Sequence, residues 1–146
     1  MFNVKTILHP TDFSPRSALA FDAACSLARD RGARIVLLHI LEVPVLVPSG
    51  VMTAPPPPPP SESDKKAAWD RLQALKPAEG SIALEHRLEM GNVAAAILEV
   101  AKDIQPDLIV MGTHGRTGLG RLLMGSVAEK VLRSAVCPVL TMKTPG

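Results

Sequence analysis

The chain of 146 residues has no tyrosine, one tryptophan and three phenylalanines. So few rings argue against a flavin-type electron carrier, which would use aromatic side chains to stack its isoalloxazine ring and would colour the purified protein. Cysteine is also scarce: Cys25 falls in a helix-like stretch and Cys137 precedes a strand-like run. Neither has a neighbour at metal-ligand or redox-pair spacing, so both read as small buried hydrophobes. The four histidines, His9, His39, His86 and His114, show no metal-ligand spacing either. Charge of one sign is nowhere concentrated. The 16 basic and 14 acidic side chains are scattered, and the net charge of +2 leaves no footprint for nucleic acid. No apolar run approaches the about 20 residues that span a bilayer. The opening Met1-Phe2-Asn3-Val4-Lys5 lacks the cationic start and long apolar core of a signal peptide. These absences lead us to expect a cytoplasmic protein with neither nucleic acid nor a membrane as partner.

What is present is a regular alternation of strand and helix signals. With 47% apolar residues, a chain of this length suffices for one domain spanning 1–146. Thr6 to His9 is a short apolar run stopped by Pro10. Ser14 and Pro15 then start a helix whose apolar positions, Ala18, Leu19, Phe21, Ala24, Leu27 and Ala28, recur until Arg31-Gly32. Ile35 to Leu41 is apolar without alternation, the mark of a strand covered on both faces. His9 and His39, inside these strands, read as structural. From Val43 to Ser63 prolines dominate, including the run Pro55 to Pro60, which we read as a surface loop with a semi-rigid spacer. A helix over Ser61 to Lys76 follows, with Trp69, Leu72 and Leu75 on its inner face. Next come a strand over Ile82 to Leu88, a helix capped by Asn92 and closed by Pro106, and a strand over Leu108 to Met111. A helix over Leu122 to Ala135 and a strand over Val139 to Met142 complete the pattern. The order predicts a doubly wound α/β fold, with a mostly parallel five-stranded sheet and four helices in a Rossmann-like arrangement. In such sheets ligands bind beyond the carboxyl ends of the strands, where the strand order reverses.

Two strand ends carry informative polar residues: Pro10-Thr11-Asp12 after the first, and Met111-Gly112-Thr113-His114-Gly115-Arg116 after the fourth. The segment from Met111 to Val127 holds five glycines between a strand and a helix. Glycine allows positive φ and close approach of backbone N–H groups to an anion, which is what a phosphate cradle requires. The segment is not a P-loop, because GxxxxGK[ST] is missing, and no GxGxxG follows the first strand. Asp12 could equally satisfy backbone amides in its turn, and Ser126 with Glu129 has the spacing of a capping box.

The spacing Gly112, two residues, Gly115, nine residues, Gly125-Ser126 resembles the ATP-binding signature of the universal stress protein family. The resemblance extends to Ile7-Leu8-His9-Pro10-Thr11-Asp12-Phe13-Ser14, to Leu38-His39-Ile40 and to Val136-Cys137-Pro138-Val139-Leu140. It implies an adenine nucleotide alpha hydrolase-like fold that binds ATP, with Mg²⁺ brought by the nucleotide. It further implies that Asp12 meets the ribose or adenine and that the backbone of Ile40 pairs with the adenine edge. Gly112, Gly115, Gly125, Ser126 and the amide of Val127 would surround the phosphates, with Arg116 and Arg121 as outer contacts. His114 lies in the same loop and could donate to a phosphate or pack locally. A homodimer through the last strand is implied as well. Asp12 is the one acid expected near the crevice, so we expect slow or negligible hydrolysis, no catalytic residue and no protein-held metal. An ATPase or phosphotransferase using His114 or Ser126, and a nucleotide-independent dimeric interaction module, are the alternatives.

Overall fold

The computed structural model describes residues 2–43, 55, 57–78, 80–113 and 124–143. The elements are β1 (Thr6–Pro10), α1 (Pro15–Arg31), β2 (Arg34–Glu42), α2 (Glu62–Ala74), β3 (Leu84–Gly91), α3 (Val93–Ile104), β4 (Leu108–Gly112), α4 (Ser126–Ser134) and β5 (Val139–Met142). The five strands form one parallel sheet in the order β3-β2-β1-β4-β5. The chain winds outward from β1 through β2 to β3, then returns to the other side of β1 for β4 and β5. The strand order therefore reverses between β1 and β4, and the doubly wound expectation holds. Among the described residues no helix is long and apolar enough to cross a membrane.

Alternate residues of the strands feed two cores. Ile7, Ile35, Leu37, Leu108 and Val110 pack under α1 and α2, whereas Leu8, Val36, Leu38, Ile40, Ile109 and Met111 pack under α3 and α4. This period of two on strands without polar alternation is how a sheet covered on both faces must read. Gly32 ends α1 in the left-handed conformation at φ 65°, and Gln105 does the same for α3 at φ 47° ahead of Pro106. The carboxylate of Asp107 accepts from the N–H groups of Lys5 and Thr6 at 2.8 and 2.9 Å, joining the start of β1 to the turn before β4.

Several boundaries differ from the sequence reading. β3 starts at Leu84 rather than Ile82 and runs to Gly91, because its ladder follows β2 from Ile35 to Glu42. α2 begins at Glu62 as expected, on the reciprocal capping box of Ser61 and Asp64, but it ends at Ala74 rather than Lys76, with Leu75 already extended. Met124 and Gly125 are not helical, so α4 starts at Ser126 and not at Leu122. On α1 the inner face is Ser17, Ala20, Phe21, Ala24, Cys25 and Ala28, while Ala18 and Leu19 are exposed. Cys137 is half-buried rather than buried, because it lies in the bend before β5 and only one side packs on α4's core.

Candidate functional site

A cavity of about 540 Å³ opens at the carboxyl ends of β1, β2 and β4. From β1 and the turn after it come Pro10, Thr11 and Asp12; from β2, His39, Ile40, Leu41 and Glu42; from β4 and beyond, Met111, Gly112 and Thr113. Gly125, Ser126, Val127 and Ala128 at the start of α4 close one side, and Val93 and Ile97 of α3 and Ser17 of α1 complete the lining. Nine residues singled out from sequence thus share one wall system: Pro10, Thr11, Asp12, Ile40, Met111, Gly112, Gly125, Ser126 and Val127. His114, Gly115 and Arg116, with Arg121, lie outside the described residues.

The turn after β1 is tied down locally. Thr11 N–H donates to Leu38 O at 2.8 Å, and the Thr11 hydroxyl oxygen accepts from Phe13 N–H at 3.1 Å and from the Ser17 hydroxyl at 2.9 Å. Asp12 Oδ1 accepts from Ser14 N–H at 2.9 Å, so the turn role anticipated for this aspartate is real. This bond orients Asp12 at the cavity wall. His39 Nδ1 lies 2.7 Å from Thr11 O; a carbonyl only accepts, so Nδ1 carries the proton. On the neighbouring strand β1, His9 is fully buried, stacked on Phe21, with Nδ1 donating to Val110 O at 2.8 Å. Burial lowers its pKa to about 4, so His9 is a neutral structural ring beneath the site.

The beginning of α4 differs from the other helix starts. Ser14, Ser61 and Asn92 each accept a backbone N–H at the heads of α1, α2 and α3, whereas α4 is preceded by Gly125 and has no side-chain cap. The Ser126–Glu129 capping box does not form, because Ser126 is already the first helical residue; Glu129 instead pairs with Arg133 at 2.6 Å. The first N–H groups of α4 therefore border the cavity with no capping side chain competing for them. Positive φ is not the reason for glycine here: Gly125 has φ −62°, and its own N–H donates to Thr113 O at 2.7 Å. Gly112 is the last residue of β4 and likewise has no positive φ.

Sequence reasoning missed Ser17, Glu42 and the α3 pair Val93 and Ile97, gave Thr113 no role of its own, and took His39 as purely structural. Glu42 corrects the expectation that Asp12 is the only acid nearby, because β2 runs one residue beyond its apolar stretch and ends at the cavity. The four-residue spacing of Val93 and Ile97 on an apolar helix was the available signal for that wall. Among the described residues no group of three or more His, Cys, Asp or Glu side chains could hold a metal ion.

Residues 3–143 match the universal stress protein family. The chain belongs to this family. A universal stress protein of Methanocaldococcus jannaschii is 36% identical over 143 residues, covering 97% of this chain and 83% of the relative. Among solved structures, a universal stress protein family member from Burkholderia pseudomallei is 30% identical with a TM-score of 0.63, covering 95% of this chain and 96% of that one. A universal stress protein solved in complex with cAMP is 25% identical with a TM-score of 0.68, covering 98% and 99% of the two chains. In this universal stress protein the reversal point of the sheet, the cavity and the uncapped start of α4 coincide.

Proposed function

We propose that this universal stress protein is a single nucleotide-binding domain of the cytoplasm that holds ATP, as its Mg²⁺ complex, in the crevice between β1 and β4. The observation that carries the reading is the start of α4: it is the one described helix without a side-chain cap, and its first residues line a cavity of nucleotide size. Free N–H groups at the positive end of a helix dipole suit phosphoryl oxygens. The rest of the lining divides as a nucleotide would require. Ile40, Val93, Ile97 and Met111 offer apolar surface for a base, while Thr11, Asp12 and Ser17 offer polar groups for a sugar. The relative solved with cAMP supports an adenine nucleotide as the ligand class. Ile40 would meet the adenine edge through its main chain, Asp12 the ribose, and Gly112, Gly125, Ser126 and Val127 the phosphates. His114, Gly115 and Arg116 would complete the phosphate loop. Mg²⁺ would be held by phosphates and water, because no carboxylate cage surrounds the cavity among the described residues.

Turnover is expected to be slow or absent. Glu42 is a second carboxylate, but it ends β2, which lies two strands and about 10 Å from β4, and on this reading it stands beside Ile40 at the adenine end of the ligand. Titration calorimetry with Mg-ATP tests the binding reading: saturable heat that is lost in Asp12→Ala is expected, and no heat up to about 1 mM ligand overturns it. Steady-state hydrolysis above about 1 s⁻¹ that disappears in Glu42→Gln would instead make the protein an ATPase. We also propose a homodimer through β5. That strand is an edge of the sheet with Leu140 exposed, and Val136, just ahead of it, is 81% exposed. Light scattering at tens of micromolar protein should give twice the chain mass; a monomer mass removes the dimer.

A further inference from the structure

Phe13 follows the crevice residues Thr11 and Asp12 and has φ 64°, a backbone conformation that a bulky L-residue rarely adopts. Its surroundings over-determine it. Its N–H donates to the Thr11 hydroxyl oxygen, the next N–H to Asp12 Oδ1, its ring meets His39 at a tilt with centroids 4.4 Å apart, and the Arg71 guanidinium lies over the ring at 4.4 Å. Arg71 belongs to α2. Strained residues of this kind persist where they serve a switch or a site.

α2 is held by few buried residues. It buries only Ala68 and Leu72, as α4 buries only Ala128 and Val131, against six residues of α1 and four of α3. Between it and the sheet lies a second cavity of about 440 Å³, bounded by Phe13, His39 and Glu42 on one side and by Pro58, Ala67 and Arg71 on the other. His39, Leu41 and Glu42 line both cavities. A helix with few buried contacts and open space beneath it belongs to the low-stability end of a structure.

We propose that the Arg71-Phe13-His39 stack couples occupancy of the crevice to the docking of α2. The inference rests on the nucleotide reading for its ligand, and it identifies α2 as the surface that reports the bound state. In one state the turn from Thr11 to Ser14 is strained, Asp12 faces the crevice and Arg71 seats α2 on Phe13. In the other the turn relaxes, the ring leaves His39 and α2 is released. A ligand that touches Asp12 favours the first state. By linkage, a docked α2 favours the ligand by the same factor.

Amide hydrogen exchange with Mg-ATP as the probe tests the coupling. In the wild-type chain, saturating Mg-ATP should slow exchange in residues 62–74 about fivefold or more. In Phe13→Gly the turn is retained, because glycine adopts positive φ freely, while the stack is lost. That variant should bind Mg-ATP within about threefold of wild type and show no slowing in α2. In Arg71→Ala the unliganded protein should exchange the Phe13 and Ser14 amides several-fold faster, and its Mg-ATP affinity should fall by the factor with which the ligand slows wild-type α2. Unchanged α2 exchange in the liganded wild type, or equal slowing in Phe13→Gly, overturns the coupling. So does wild-type exchange of the two turn amides in unliganded Arg71→Ala. Silent calorimetry would remove the nucleotide reading alone, and the ligand-free Arg71→Ala comparison would then decide the coupling by itself.

Discussion

On one face of the sheet, α3 and α4 press Ile97, Val100, Ala101, Ala128 and Val131 onto Leu8, Val36, Ile109 and Met111, and the same layer floors the crevice through Ile97 and Ala128. On the other face, α1 lies close through Ala20, Ala24 and Ala28, but α2 touches the core with little more than Leu72, Ala68 and the partly buried Trp69. The crevice is thus floored by the layer in which α3 packs four buried residues, while on the opposite face α2 is the element that we propose responds. A binding site needs positioned walls, and a responsive element needs low cost of release; the two faces separate these demands.

The largest expected effect breaks the comparison if it fails. Ile97 and Leu72 are 1% and 0% exposed, so burial alone would make their truncations equal. Ile97→Ala should cost about 2–5 kcal/mol of global stability and also weaken Mg-ATP binding, since Ile97 lines the crevice. Leu72→Ala should cost less globally, because α2 can release while the sheet stays folded. Urea unfolding followed both by Trp69 fluorescence and by circular dichroism distinguishes them: the two probes should coincide for Ile97→Ala and separate for Leu72→Ala, with Trp69 moving first. Coincident transitions with equal costs would show that both faces are held alike.

A smaller effect concerns the floor beneath the crevice, on the α1 side. His9 is neutral in the folded protein, with a pKa of about 4 against 6.5 when exposed, and its Nε2 is buried without a hydrogen-bond partner. Above pH 6.5 both states are neutral and full stability is present. As pH falls from 6.5 towards 4 the unfolded chain takes up a proton that the folded chain refuses, so stability drops by roughly 3 kcal/mol across that window. Denaturant midpoints of wild type and His9→Gln, measured from pH 7.5 to 4.5, should converge as the pH falls. A constant gap between them would mean that the ring charges without penalty.

The strands were legible because runs such as Ile35 to Leu41 have one physical meaning, burial on both faces, and the alternation of strands and helices implied the reversal point beside β1. Crevice residues at strand ends followed from that topology. What depended on local competition was less legible. Ser126 and Glu129 have capping-box spacing, yet Gly125 takes the cap position and Glu129 turns to Arg133. What depended on distant partners was not legible at all. Asp107 grips Thr6 across 101 positions, Glu42 reaches the crevice because β2 outlasts its apolar run, and nothing local announces the positive φ of Phe13 or its cover by Arg71.

The smallest expected effect sharpens the contrast between faces. Asn92 caps α3 and Ser61 caps α2 with the same chemistry, a side-chain oxygen accepting the N–H three residues on, at 3.0 and 3.2 Å. Asn92→Ala should lower global stability by about 1 kcal/mol, because α3 unfolds only with the sheet it covers. Ser61→Ala removes an equivalent bond and the one its hydroxyl donates to Asp64 Oδ2 at 2.9 Å, yet its loss should be felt mainly within α2, as faster amide exchange over residues 62–74 with a barely shifted denaturation midpoint. Equal midpoint shifts for the two variants would mean that α2 is as tightly bound to the cooperative core as α3, and that only the crevice distinguishes one face from the other.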